Sequence, residues 1–289
     1  MANTIERAEK FVPVIDTIYK QASKTAILDA QTKLDFTGTN AVKVLKIETT
    51  GLGDYSRDTG YPKGDVSATW ETMTLSEDRG KEISIDRMED EETLGQAFGG
   101  VMGEFIKNFV VPELDAYRFA AYATKAGGSV SATYTTGAEL LKAIDTACAE
   151  MDGKEVPEGN RVLYISSALK PLLMDAFERK YGNDAALTRS VVTYNNMPII
   201  YVPQSRFNSA ITLNAGASSW GYTANGTGIN FLIVEKSAVL QVQKMALPKI
   251  FDPDTNQDKD AWKFQYRLYH DAFVYENKVD GIYVSKKDA

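Results

Sequence analysis

Residues 261–273, AWKFQYRLYHDAF, alternate between two sets of side chains with a period of two, and this leaves the segment one regular structure. Trp262, Phe264, Tyr266, Leu268 and His270 fall on one side; Lys263, Gln265, Arg267, Tyr269 and Asp271 fall on the other. A helix of 3.6 residues per turn would scatter both sets around its circumference, so the segment reads as a strand. SAVLQVQKMALPKI (237–250) reads as its partner, joined through the charged loop 251–260, which contains DPDTNQDKD. The alternation slips at Ala272–Phe273, which predicts a bulge or a crossing between subdomains. The aromatic side of the strand reads as core or as a contact between subunits.

A second ribbon lies upstream. VKVLKIETT (42–50), VSATWETMTL (66–75) and KEISIDR (81–87) are strand-like, with a turn at SEDRG, and together predict a three-stranded antiparallel ribbon. Its tip is GLGDYSRDTGYPKGDV (51–66), with four glycines, one proline and five charged side chains. No helix follows these glycines and no Lys-Ser/Thr pair ends them, so the tip is not a phosphate cradle. About 12 extended residues reach roughly 40 Å, and an isolated two-stranded hairpin is marginal in water. Both ribbons therefore predict neighbours that hold them.

Between the ribbons the periodicity changes to helical. Leu94, Ala97, Phe98, Val101, Met102, Phe105, Ile106 and Phe109 recur at spacings of three and four, the apolar face of a long helix spanning 89–125. EDEE (89–92) suits its first turn, and Pro112 predicts a kink. Gly95, Gly99 and Gly103 form one row, which reads as close backbone contact with another element. GGSVSATYTTG (127–137) reads as a loop. Leu140, Leu141, Ile144, Ala147, Cys148 and Met151 mark the inner face of the next helix. RVLYIS (161–166) reads as a buried strand, and Ser167 as the cap of helix ALKPLLMDAFERK with Pro171 in its first turn. MPIIYVP and INFLIVEK add strands, so the class is α+β. Residues 1–40 read as an arm with weak core potential.

Composition excludes more than it suggests. A net charge of −7 and a pI near 5.0 argue against a protein that clamps nucleic acid, and no run is long enough to span a membrane. The N-terminus carries mixed charge and does not read as a secretion signal, so Asn225-Gly226-Thr227 reads as a turn rather than a glycosylation acceptor. The single cysteine, Cys148, excludes an internal disulfide and reads as a small buried hydrophobe. With one histidine, His270, and no nucleophile elbow, no catalytic constellation and no cofactor site are expected. DPDTNQDKD places Asp252, Asp254, Asn256, Asp258 and Asp260 at every second residue, like the first half of a calcium loop. Gln257 stands where the glycine belongs and Lys263 where the closing glutamate belongs, so a solvated acidic tip is the favoured reading.

Three blocks bear a broader resemblance. Residues 51–93 (GLGDYSRDTGYPKGDVSATWETMTLSEDRGKEISIDRMEDEET), the helix with FVVPELDAYRFAAYA, and the block from VEKSAVLQVQ to GIYVSKK resemble major capsid proteins of tailed bacteriophages with the Hong Kong 97-type fold. The resemblance implies an N-terminal arm (1–40), an extended β-hairpin E-loop (41–86), a P-domain (87–126 and 239–272) carrying the long spine helix and a β-ribbon, and an A-domain (127–238 and 273–289). It implies a structural homo-oligomer of pentamers and hexamers that self-assembles into an icosahedral virion capsid in the host bacterial cytoplasm. Portal and scaffolding proteins would be its partners, and it would enclose double-stranded DNA without sequence-specific binding. Intersubunit contacts are expected from Asp54, Tyr55, Arg57, Asp58, Tyr61, Lys63 and Asp65 at one tip and Asp252, Asp254 and Asp258 at the other. Some members link subunits through a lysine and an asparagine, for which Lys63 and Asn256 stand nearest by placement. The rival readings are an encapsulin-type bacterial nanocompartment shell and, in another class, a calcium-dependent binding module.

Overall fold

The computed structural model describes residues 23–29, 41–58, 60–88, 103–176 and 193–288. β1 (Ala41–Thr49) and β2 (Val66–Thr74) pair antiparallel from end to end, with Ala41 opposite Thr74 and Thr49 opposite Val66. β3 (Glu77–Asp86) begins after two intervening residues but leaves this ribbon. It pairs instead with the strand at 261–274, Ile83 opposite Phe264, so the predicted three-stranded ribbon is two-stranded. Local periodicity reports that a segment is extended; it carries no information about a partner so distant in sequence.

The helix at 103–125 is interrupted where the proline predicts it, by a specific device. A π turn occupies Ile106–Val110, in which the Val111 N–H donates to the Ile106 carbonyl, and α1 (Val111–Lys125) starts directly after it. Pro112 has no N–H for the carbonyl four residues back and its ring crowds that carbonyl, and the wider turn relieves both faults. The extra residue shifts the phase of the helix: Ile106 is buried as expected, but Phe109 faces solvent. The remainder of the predicted apolar face, Leu94 to Met102, with Gly95, Gly99 and EDEE, lies outside the described residues, as do 1–22 and 30–40 of the arm.

The chain continues through β4 (Gly128–Ser131), α2 (Gly137–Gly153), β5 (Arg161–Ser166), α3 (Lys170–Ala176), β6 (Thr193–Tyr194) and β7 (Met197–Val202). β8 (Ile211–Leu213), β9 (Tyr222–Ala224) and β10 (Ile229–Glu235) follow. β11 (Val239–Phe251), β12 (Ala261–Val274) and β13 (Ile282–Lys286) complete it. β4 lies inside the stretch read as a loop; four residues are too few to show a period. α2 opens on a capping box, with Thr136 and Glu139 satisfying each other's backbone N–H. Ser167 lies inside a 3₁₀ turn (Ser167–Leu169) leading into α3 rather than acting as its cap.

Two sheets share one helix. Six strands run in the order β4-β13-β10-β5-β7-β6, with β5–β7 and β4–β13 parallel and β10 antiparallel to β13 and β5. Along β5, Val162 and Tyr164 face α1, where Phe119, Tyr122 and Ala123 pack on them. Leu163 and Ile165 face α2 and α3 through Leu140, Ile144, Met151 and Leu173. Both faces are covered, which is why RVLYIS and INFLIVE read as continuous apolar runs. The second sheet has the order β11-β12-β3. Its inner face, Phe264, Tyr266 and Leu268, packs on Leu114, near the start of α1. Each such buried Leu or Phe contributes about 1.5–3 kcal/mol. The irregularity expected at Ala272–Phe273 sits on the partner strand instead: the β11–β12 register shifts between Gln243 and Met245, while β12 runs unbroken to Val274.

Candidate intersubunit surfaces

The β1–β2 ribbon is amphipathic. Antiparallel register puts Leu45 and Trp70 on the same face, with Ile47, Ala68 and Val66 beside them, and all five side chains are exposed. The opposite face carries Lys46, Ser67, Thr69 and Glu71 further out. Near the body the same face buries Val42 and Met73, which pack with Leu75 on Leu240 and Val242. The corner between β2 and β3 is pinned. The Ser76 N–H and hydroxyl donate to Asp271 Oδ2 at 3.0 and 3.1 Å, and the Tyr117 hydroxyl donates to Oδ1 at 2.8 Å. Tyr269 donates to the Leu75 carbonyl at 2.9 Å. Burial, then the bond to the Asp271 carboxylate, pushes the Tyr117 phenol above its ordinary range, so it remains a donor. The ribbon thus leaves the body from a fixed elbow.

At its tip, Ser56 and Gly60 exchange backbone hydrogen bonds at 3.2 and 2.8 Å, and Gly60 takes φ +81°, where a side chain would be strained. Tyr55 and Tyr61 meet edge to face with centroids 5.0 Å apart. Asp54, Tyr55, Arg57, Asp58, Tyr61, Lys63 and Asp65 are all exposed. The tip is a small ordered platform of charge around two tyrosines.

The other tip is held by its own polar groups. Asp252 Oδ1 accepts from the Thr255 N–H and hydroxyl at 2.9 and 2.5 Å, and the Asn256 amide donates to the Ala261 carbonyl at 2.8 Å. Lys263 pairs with Asp258 at 2.5 Å, which holds that carboxyl below its usual range. Arg87 lies 3.4 Å from Asp254 and 3.7 Å from Asp260. The carboxylates of the calcium-like spacing are divided among protein partners: Asp252 is taken by Thr255, Asp258 by Lys263, and Asp254 and Asp260 by Arg87. Among the described residues no group of three or more His, Cys, Asp or Glu side chains is arranged to hold a metal ion.

A sequence profile of the phage capsid protein family matches residues 64–285. The chain belongs to this family. It is a major capsid shell protein with the Hong Kong 97-type fold. Among solved structures, the capsid protein is similar to a chain from Mycobacterium phage Che8, at 11% identity over 85% of this chain and 84% of that chain, with a TM-score of 0.62. It is similar to the capsid of cyanophage P-SCSP1u, at 14% identity over 90% and 87%, with a TM-score of 0.65. It also resembles a virus-like particle from Pyrococcus furiosus, at 10% identity over 98% and 100%, with a TM-score of 0.59. At these identities the likeness is one of fold. No curated protein matches the chain. The family match favours the capsid over the nanocompartment and calcium-module readings.

Two features of this capsid protein escape its sequence. The first is a buried anchor for the arm segment 23–29. Asp115 on α1, fully buried, accepts from Ser23 Oγ and Thr25 Oγ1 at 2.8 Å, from the Lys24 N–H at 2.9 Å and from Arg206 Nη1 at 3.3 Å. Arg118, also buried, donates to Thr25 Oγ1 at 2.8 Å and lies 3.4 Å from Asp29. A polar network in the core is retained when each member has partners, and here it ties segment 23–29 to α1. Asp115 and Arg118 stand three apart on one helix face, the only signal in the sequence, and surface pairs show the same spacing. The second is the exposed pair Phe109 and Trp220. Cys148, read as a buried hydrophobe, is buried, and burial raises its thiol pKa.

Proposed function

We propose that this capsid protein builds, from pentamers and hexamers of itself, the icosahedral shell that encloses the double-stranded DNA of a tailed phage. The observation that carries this reading is the β1–β2 ribbon, which leaves a pinned elbow and exposes an apolar face and an ordered tip. Such a surface is stable in water when another molecule covers it, and in a shell the nearest molecule is another copy. The ribbon 41–74 serves as the E-loop, and β3 joins the P-domain sheet. α1 with β11 and β12 forms the P-domain, and the six-stranded sheet with α2 and α3 forms the A-domain. The tip residues Asp54, Tyr55, Arg57, Asp58, Tyr61, Lys63 and Asp65, with Asp252, Asp254 and Asp258, meet neighbouring subunits. A role without catalysis agrees with a family of structural proteins. Assembly in the host cytoplasm with portal and scaffolding proteins completes the reading. Negative-stain microscopy of the purified full chain tests it. Uniform shells, tubes or capsomer rings are expected, and a strictly monomeric species at about 100 µM, far above the Kd of an ordinary specific interface, would overturn it.

A further inference from the structure

Among the described residues one cleft combines room, apolar walls and polar groups left without partners. It measures about 730 Å³, within the span of small-molecule sites. Its floor comes from the second sheet: Tyr266, Leu268 and His270 on β12, with Arg79 and Lys81 on β3. The helix adds Phe105, Phe109 and Leu114, and the loop at 214–221 adds Trp220. In the β12–β3 register Lys81 stands opposite Tyr266, and Glu77 opposite His270. From Lys81 to His270 the cleft therefore runs four strand residues, or about 13 Å.

The walls are fixed by bonds of their own. Gly216, at φ +86°, lets the Trp220 ring lie against it, and the Asn214 N–H closes the loop by donating to the Gly221 carbonyl at 2.9 Å. The Tyr222 hydroxyl ties the loop to the Ser205 carbonyl at 3.0 Å. Four charged side chains line the cleft: Arg79, Lys81, Glu113 and Arg206. Three of them are committed. Arg79 Nε pairs with Glu113 at 2.7 Å, and its two other nitrogens donate to the Asn214 and Gly221 carbonyls at 2.8 and 3.3 Å. Arg206 pairs with the buried Asp115 at 3.3 Å. Set against Glu113 and Asp115, the three cations leave one positive charge, and it belongs to Lys81. The Lys81 ammonium lies 5.4, 6.0 and 5.1 Å from the ring centroids of Phe105, Phe109 and Trp220, which position a cation without neutralising it. At the far end His270 is 2% exposed, and its Nδ1 has no hydrogen-bond partner among the described residues. A buried polar atom left unpaired is costly, and its pKa near 3 keeps this imidazole neutral, able to take a hydrogen bond but not to hold a charge.

We propose that this cleft binds a small aromatic carboxylate with a hydroxyl at its far end: the carboxylate on Lys81, the apolar body over Tyr266 and Leu268, and the hydroxyl hydrogen-bonded to the His270 imidazole. The charge inventory sets the class, since the one uncompensated charge of the lining is positive and the remaining surface is largely apolar and aromatic. It also sets the orientation. Glu77 stands across from His270 and disfavours an anion at that end, whereas the ammonium at the other end has no carboxylate partner among the described residues. A molecule seated there touches β3, α1 and the loop at 214–221 at once, so it braces three segments remote in sequence. The site is independent of the shell reading, because every group that forms it belongs to one copy of the chain.

The probe is 4′-hydroxybiphenyl-4-carboxylate, a rigid rod of comparable length with the two polar groups at its ends. Calorimetry on the unassembled full chain at neutral pH is expected to give a Kd of about 10–100 µM, an ordinary ligand efficiency for a molecule of this size. 4-Hydroxybiphenyl, which lacks the carboxylate, should bind about tenfold more weakly, and biphenyl-4-carboxylate, which lacks the hydroxyl, about fivefold more weakly. Lys81→Met keeps the apolar stem and should abolish the advantage of the acid while leaving the affinity for 4-hydroxybiphenyl unchanged. Hydroxyl-radical footprinting places the site: the bound acid should protect Trp220, which is 63% exposed, and not Trp70, whose exposure on the ribbon corrects for scavenging by the probe. Equal affinity across the three compounds would mean a merely apolar surface and overturn the proposal. So would full reactivity of Trp220 with no heat of binding at about 1 mM acid, a concentration that detects even weak sites. If Lys81→Met does not fold, the compound series and the footprint on the unaltered chain decide.

Discussion

His270 sits on the inner face of β12, its ring edge-on to Tyr117 of α1 with centroids 5.3 Å apart, and its Nδ1 has no hydrogen-bond partner among the described residues. Burial, and after it the positive charges of Arg118 and Arg79, push its pKa down to about 3. Glu77 stands opposite it across the β12–β3 register, and that carboxylate does not offset the burial. The folded chain therefore keeps this imidazole neutral where the unfolded chain, titrating near 6.5, takes up a proton. The resulting stability is complete above pH 6.5, declines as the pH falls below it, and is exhausted near pH 3. Between pH 7 and pH 5 the loss from this one group is about 2 kcal/mol. Urea unfolding of the unassembled subunit at these two pH values should show that loss in the native chain and not in His270→Gln. Equal pH dependence in both would mean that the imidazole is solvated in the folded state. Histidine here acts as a half-polar core residue, and its sensitivity to acid is a by-product of packing.

At the scale of the element, the tip of the ribbon can be separated from the fold that carries it. Deleting 54–63 removes Tyr55, Tyr61 and the Ser56–Gly60 turn but none of the contacts at Val42, Met73 and Leu75 that seat the ribbon on the body. The deleted chain should keep its far-UV circular dichroism and solubility while its yield of shells falls by about tenfold or more, the expected effect of losing the anchors of an interface. Loss of helical signal would mean that the tip belongs to the core. The same separation explains what the sequence disclosed. β1, β2, β11 and β12 were legible because each declares itself by a period of two, and α2 by its row from Leu140 to Met151. The choice of β12 as partner for β3, the parallel addition of β4 and the position of the β11 bulge were not, since each is settled by residues remote in sequence. The candidate surfaces divide in the same way. The charged tip at 51–66 shows in composition, but Trp220 sits in GASSWGY, where nothing local distinguishes a presented indole from a loop residue. Phe109 was assigned to the buried face because the π turn that swings it outward cannot be read from spacing.

For the molecule as a whole, α1 is the common wall: Phe119, Tyr122 and Ala123 serve the six-stranded sheet, and Leu114 serves the three-stranded one. Its net charge of −7 sets its relation to a polyanion. Non-specific binding to duplex DNA comes from phosphate neutralisation and release of counterions, and an acidic chain gains little from either. A gel-shift titration at about 0.15 M salt should show no retardation of duplex DNA up to roughly 100 µM subunit, the weak end of ordinary non-specific affinity. A salt-sensitive shift at micromolar protein would reveal a basic face that the charge balance conceals. One further consequence follows from the strand order β4-β13-β10-β5-β7-β6, and it concerns time. β4 is made early, yet its ladder partner is β13, with Gly128 opposite Tyr283, about 155 residues later, or roughly 8–30 s at ordinary rates of synthesis. From the completion of β10 until the end of that interval the nascent sheet has an empty slot between β4 and β10. Only a chain translated through residue 286 can fill it, so an interrupted message yields no subunit fit to enter a growing shell.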